Sequence, residues 1–175
     1  RIELAGSGAI TAIDSAGADG DITLGAVDDG DHATSLKLNA GSGDITLTEA
    51  VGATAALSGL DMRAAGINTG QPITVHTNGN IRVDNSGSAL LGGVIAGSGV
   101  SLIKEGAGTL NLGSGNTLTG STVVKGGTVS IAADSALRWV PSAVTNGHLS
   151  LDGGSLSVTS GFTLAANRGL KVESG

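Results

Sequence analysis

A three-residue unit, apolar–polar–apolar, recurs along the whole chain. It reads Ile2-Glu3-Leu4, Ile22-Thr23-Leu24, Leu36-Lys37-Leu38 and Ile45-Thr46-Leu47. It continues as Ile73-Thr74-Val75, Ile81-Arg82-Val83, Val100-Ser101-Leu102 and Leu110-Asn111-Leu112, then Val129-Ser130-Ile131, Leu149-Ser150-Leu151, Leu156-Ser157-Val158 and Leu170-Lys171-Val172. Alternation with period two puts the outer pair of each unit on one face of a sheet and the middle residue on the other. The middle residues are Glu, Thr, Lys, Arg, Ser or Asn, so that second face is wet. No stretch carries a helical apolar stripe, and the pattern predicts an all-β chain of very short strands.

Turn formers separate the units: Gly6-Ser7-Gly8, Gly41-Ser42-Gly43, Asn78-Gly79, Gly97-Ser98-Gly99, Gly126-Gly127, Asn146-Gly147 and Asp152-Gly153. The string Gly20-Asp21-Ile22-Thr23-Leu24 returns unchanged as Gly43-Asp44-Ile45-Thr46-Leu47. A period in the twenties with small residues at the corners is what a β-solenoid requires. At roughly 22 residues per turn the chain makes about eight turns, a rod segment roughly 40 Å long at strand spacing. The competing reading is an antiparallel sandwich, because Ile73 to Val83 and Leu149 to Val158 each carry a hairpin-like turn between two strands. Sandwich strands are longer and their cores usually hold aromatics, so the solenoid is preferred.

Composition supports this. Of 175 residues, 31 are glycine, none is cysteine or tyrosine, and aromatics amount to 1% against 39% hydrophobic residues overall. The core must therefore be built from Leu, Ile, Val and Ala. Glycine does not recur at every third position, which excludes a collagen helix, and the hydrophobic content excludes a disordered chain. Without cysteine there is no disulfide framework and no Cys-ligated metal. No apolar run reaches the roughly 20 residues that span a bilayer as a helix. The net charge of -6 is uneven: residues 1–60 hold nine acids and two bases, the rest six acids and seven bases. No basic cluster of the kind that binds a phosphate backbone is present, so nucleic acid is not an expected partner.

Residues 102–131 hold the most specific motif, Leu-Ile-Lys-Glu-Gly-Ala-Gly-Thr-Leu-Asn-Leu followed by a second glycine-cornered stretch. Lys104, Gly106, Gly108, Thr109, Leu110 and Leu112 form its core, with Asn116, Thr119, Gly120, Thr122, Gly127, Thr128 and Val129 after it. This resembles the passenger-associated transport repeat of bacterial autotransporters. Leu118 stands where that family usually has an aromatic. The string from Asn39 to Leu47 is similar, more loosely, to repeats of filamentous haemagglutinin-like exoproteins. The resemblance implies a right-handed parallel β-helix of about 7–9 rungs, exported by a type V route through an outer-membrane translocation barrel. It implies a role for 102–131 in passenger folding and secretion, a location at the bacterial cell surface, and no catalytic residues or cofactor. The missing cysteine fits a chain threaded unfolded through a narrow pore. Its start at Arg1 is expected of a processed or excised segment.

The organisation expected is one β-helix segment, 1–175, with acidic rungs over 1–60, rungs with a loop excursion over 61–98, and transport-repeat-like and C-terminal rungs over 99–175. Residues 61–70 and 138–143 lack a clear triplet and are expected to leave the coil. Asp28-Asp29-Gly30-Asp31-His32 and the group Asp14, Asp19, Asp21 are the dense carboxylate clusters. They read as solvated turns more readily than as calcium loops, since neither fits an EF-hand or tandem nonapeptide spacing. The pairs Arg82/Asp84 and Asp61/Arg63 are expected as surface ion pairs. His32, His76 and His148 lie in unrelated contexts, and no nucleophile-elbow pattern is present. Phe162 is expected to plug the coil, and Trp139 to cap a core opening in preference to standing exposed. Open coil ends would favour end-to-end association. The function expected is a structural and adhesive rod acting on host or neighbouring-cell surface molecules or on itself. The alternatives are a two-partner-secretion adhesin, and a polysaccharide-acting enzyme on the same β-helix.

Overall fold

The computed structural model describes residues 2–4, 10–18, 20–30 and 34–173. It is a β-solenoid of parallel strands wound about seven times, with no α-helix among the described residues and only two short 3₁₀ turns. Three faces form the wall. The first carries Ile10–Asp14, Ser35–Asn39, Gly59–Ala64, Asn80–Asn85, Ser101–Glu105, Thr122–Val124, Thr145–Asp152 and Arg168–Glu173, each paired with the next in that order. The second carries Ile22–Leu24, Asp44–Leu47, Gly66–Thr69, Ser88–Leu91, Thr109–Leu112, Thr128–Ile131 and Ser155–Val158. The third is narrower. It runs from Ile2–Leu4 and Val27–Asp29 through Val51, which bridges to Val27 on one side and Ile73 on the other, to Ile73–Thr74 and Ile95–Ala96.

The pairings place each triplet on its counterpart one rung away. Leu60 pairs with Ile81, and Ile81 in turn with Leu102. The repeated strings found in the sequence stack as Ile22 on Ile45 and Leu24 on Leu47. Every strand pairing among the described residues is parallel, so the hairpin reading falls. Strands flanking Asn78-Gly79 pair one rung up and down, not with each other.

Inside the wall, aliphatic columns run along the axis. Leu38, Met62 and Val83 form one column on the first face, and Ile45, Ile67, Ala89, Leu110 and Val129 one on the second. Each of these residues is at most 3% exposed. Phe162, as expected, packs against this core from near its end. In the last turn the inward columns lose their cover: Val158, Leu170 and Val172 are 54%, 54% and 71% exposed.

The expected excursion at 61–70 is not there. Gly59–Ala64 and Gly66–Thr69 are two regular strands on two faces, with Met62, Ala64, Ile67 and Thr69 buried. Alternation is intact in this stretch, but its inward positions are Met, Ala and Thr instead of a Leu/Ile/Val pair, so no triplet stands out. Thr69 lies inward because its hydroxyl accepts the Gln71 amide at 3.0 Å. The excursion at 138–143 is real. It lengthens the rung that runs from Thr122 to its partner Leu149, and 138–144 form no strand. Met62→Ala should lower the urea midpoint by the equivalent of about 2–5 kcal/mol, as for any large core truncation. Outward-facing Asn68→Ala on the next strand should change stability by no more than about 0.5 kcal/mol.

Candidate functional site

The motif at 102–131 winds one and a half rungs: Ser101–Glu105 on the first face, Thr109–Leu112 on the second, 116–118 at the third, then Thr122–Val124 and Thr128–Ile131. Its turns, from Leu102 to Thr122 and from Leu110 to Val129, are the shortest between paired strands in the coil. Glycine makes that possible. A Cβ on Gly108 would lie 2.0 Å from the Gly87 carbonyl oxygen, and one on Gly127 would lie 2.2 Å from that of Gly108. Gly106 and Gly127 also hold φ of +71° and +62°. Gly120 turns the next corner against Val100. Leu110, Leu112 and Val129 fill the second-face columns, and Leu118, in the position that departs from the family, is fully buried. Thr109 pairs with Ser88 below and Thr128 above, and the Thr128 hydroxyl lies 2.9 Å from that of Ser155.

Lys104 is the unexpected member. It shares inward parity with Leu102 and occupies the core column between Val83 and Val124, 0% exposed. Its Nζ reaches the corner and donates to the carbonyls of Glu105, Gly106 at 2.9 Å and Gly126 at 3.5 Å. The last belongs to the following rung, so one ammonium ties two corners together. Burial pushes this ammonium below the ordinary lysine value, against the opposing pull of Asp84 and Glu105.

Two asparagines do related work at other corners. Asn116 Oδ1 accepts the Ile95 amide at 2.8 Å, while its Nδ2 donates to Gly113 and Ala136 carbonyls at 3.0 and 2.6 Å, spanning three rungs. Asn85, outside the motif and not singled out from sequence, is fully buried and donates to the carbonyls of Gly87 and Thr109. Thr122 lies inward with its hydroxyl on the Leu137 carbonyl at 3.1 Å, and Thr119 accepts the Gly99 amide at 2.7 Å. The motif residues therefore meet in the structure as corner-makers, core fillers and axial ties. They do not converge on a pocket.

Charge collects on the outer side of the first face. Arg82 stands at its centre, with Nη1 2.9 Å from Asp61, Nη2 3.3 Å from Asp84 and 2.5 Å from Glu105. Arg63 and Lys125 flank the group at 3.8 Å from Asp84 and Glu105. The two sequence pairs are thus parts of one network that runs over four rungs, from Asp61 and Arg63 to Lys125. Hydrogen bonding to Glu105 above all raises the Arg82 guanidinium, and the same contact holds Glu105 below the usual carboxylate range. A general acid needs the opposite shift.

The carboxylates of the first third are used as backbone caps, and Asp28 and Asp29, expected in a solvated turn, lie buried on the strand Val27–Asp29 at 2% and 0% exposure. Asp28 Oδ1 accepts the amides of Thr54 and Ala55, Asp29 Oδ2 that of Thr34, Asp14 Oδ1 that of Ala16 and Asp21 Oδ1 that of Asp44. Asp44 repeats the contact on Gly66, so the repeated Gly-Asp strings build an axial ladder. Asp19, Asp31 and His32 lie outside the described residues, and no group of three or more His, Asp or Glu placed to hold a metal occurs among the described ones.

A second polar cluster sits beneath the 138–144 excursion. Arg168, its side chain 1% exposed, forms a bidentate pair with Asp134 at 2.7 and 2.8 Å and contacts His148 Nδ1 at 3.3 Å. Desolvation would raise the Asp134 carboxyl, but Arg168, the Ala165 amide and further charges hold it below its ordinary value. Burial first, then Arg138 and Arg168, push His148 down to about 4. Asp134, His148 and Arg168 are far apart along the chain and carry no sequence signal. Trp139 is 63% exposed, so it does not cap the core. Backbone geometry at the 138–144 excursion turns the indole outward while Leu137 and Arg138 turn in.

Lys104→Met keeps the stem but strips three carbonyls of their donor; it should lower stability by about 1–3 kcal/mol in urea unfolding. His148 binds its proton less readily folded than unfolded, so its contribution is complete above about pH 6.5 and is lost as pH falls toward 4, by about 3 kcal/mol at most. Unfolding midpoints at pH 6.5 and 4.5 should therefore differ in the native chain, and the gap should narrow in His148→Gln.

A family profile described as Passenger-associated-transport-repeat matches residues 102–131. The chain is also 44% identical over 63 residues to the adhesin BmaC autotransporter of Brucella suis biovar 1 (strain 1330). That match covers 36% of this chain and 2% of the relative, so the chain spans only a small part of that protein's length. No solved structure matches. Residues 102–131 thus match the passenger-associated-transport-repeat, and the structure sets that stretch within a parallel β-solenoid that is similar, over 63 residues, to an autotransporter adhesin.

Proposed function

We propose that the chain is an extracellular rod segment of a secreted autotransporter passenger. It supports surface display, adhesion or self-association, and residues 102–131 aid passenger folding and secretion. The observation that carries this is the coincidence of the transport repeat with the shortest turns between paired strands, tied across a corner by Lys104. A chain delivered unfolded to the outside must build its first stable turns quickly, and each later rung then has a template. Glycine corners remove the steric barrier to stacking.

Location at the bacterial cell surface follows from the same assignment, and the outer-membrane translocation domain is the partner it entails. The adhesive part of the reading draws on the likeness to an autotransporter adhesin. A structural role is also supported over an enzymatic one by the charged face. Its carboxylates are engaged by Arg82, Arg63 and Lys125, with Glu105 held ionised.

The test is surface yield of the full parent protein, measured by protease shaving of intact cells. Deletion of residues 102–131 should cut the surface-exposed passenger at least several-fold, and Gly108→Val together with Gly127→Val should act in the same direction. Unchanged yield in both would remove the secretion role.

A further inference from the structure

We propose that the cavity beside Trp139 is a binding site for a carboxylated sugar, with Arg138 receiving the carboxylate and Trp139 the apolar face of the ring. This gives the adhesive reading a ligand class and rests on it.

The first observation is a guanidinium without a counter-charge. Arg138 is only 5% exposed, its Nε has no hydrogen-bond partner, and its guanidinium makes no ion pair among the described residues. The nearby carboxylate, Asp134, is already held through both oxygens by Arg168. His148 beside them is neutral at physiological pH. Asp134 therefore balances Arg168 alone, and among the described residues Arg138 is left as an unbalanced positive charge. Burial, with Arg168 adding to it, pushes Arg138 down to about 10. A buried cation of this kind is strongly disfavoured unless an anion completes it, and a carboxylate is matched in two-point geometry by arginine.

The second observation is where this residue lies. Arg138 lines a cavity of about 320 Å³ together with Trp139 and Val140, and Thr117 and Ser135 stand on its rim. Trp139 and Val140 are 63% and 41% exposed. An exposed indole next to a cation is unusual in a chain with 1% aromatics. Flat aromatic faces stack on the C–H face of a pyranose, and the rim hydroxyls suit its ring hydroxyls. Phosphate would be served better by several donors and has no use for the apolar wall. The site stands on the excursion, the one place where a described rung departs from the coil to make a concavity with an aromatic wall.

Trp139 is the only tryptophan, so its fluorescence reports on this site alone. The chain would be titrated with sialyllactose, with a hyaluronan tetrasaccharide and with lactose as the neutral counterpart. A saturable change with at least one acidic sugar, at least ten-fold tighter than lactose, is expected. The two acidic probes distinguish a sialic acid from a uronic acid. Arg138→Gln, which keeps the indole, should weaken that binding at least ten-fold with circular dichroism unchanged. If R138Q does not fold, Trp139→Ala read by calorimetry should show the same loss. No saturable change, equal affinity for lactose, or a response to poly-glutamate alone would overturn the proposal. Adhesion of cells carrying the parent protein is scored separately. Adhesion that persists in R138Q overturns this site and leaves the adhesive reading standing.

Discussion

Parallel hydrogen bonding along the axis is the constraint on which the rest of this structure depends. Each strand finds its donors and acceptors on the strand one turn before and one turn after, so backbone satisfaction requires every rung to match its neighbours in register. Corners must therefore stack as closely as strands do. At Gly108 and Gly127 the neighbouring carbonyl lies where a side chain would begin, and no other residue fits. The abundance of glycine and the regular spacing of the triplets are two aspects of one requirement.

The coil also solves a problem that purely aliphatic columns cannot. Where the chain turns between faces, carbonyls point inward and lose their ladder partners, and an unpaired buried carbonyl costs about 1–3 kcal/mol. Lys104, Asn85 and Asn116 supply donors at three such corners. A lysine suits the corner because its long apolar stem continues the Val83–Val124 column while its tip delivers three protons. Leu118 shows the complementary case, an aliphatic side chain that fills the third-face interior.

Strand identity, parallel winding and the register of the two Gly-Asp-Ile-Thr-Leu strings were legible because period-two alternation is a local signal. Their Asp21–Asp44 ladder is a device open to any glycine-cornered coil. Residues 61–70 hide their strands because Met62, Ala64 and Thr69 do inward duty without forming a Leu/Ile/Val pair. The burial of Lys104 could have been found from its parity with Leu102. No pattern could have paired Arg168 with Asp134 or left Arg138 unmatched, because those contacts arise only when the lengthened rung folds over the coil. Trp139 was visible as an isolated aromatic, yet its direction depends on the backbone of an irregular segment.

Because a rung bonds only to the rungs beside it, the molecule has a particular response to tension. A pull on one end loads the hydrogen bonds of the terminal turn and leaves those deeper in the rod unstressed. That turn can peel away and lengthen the tether by roughly 70 Å, about 20 residues of extended chain, before the next is loaded. The lengthened rung at 122–149, with Asp134 clamped to Arg168 across it, interrupts such a progression with a stronger step. A rod of this construction yields in instalments and rewinds on its own template when the load is released.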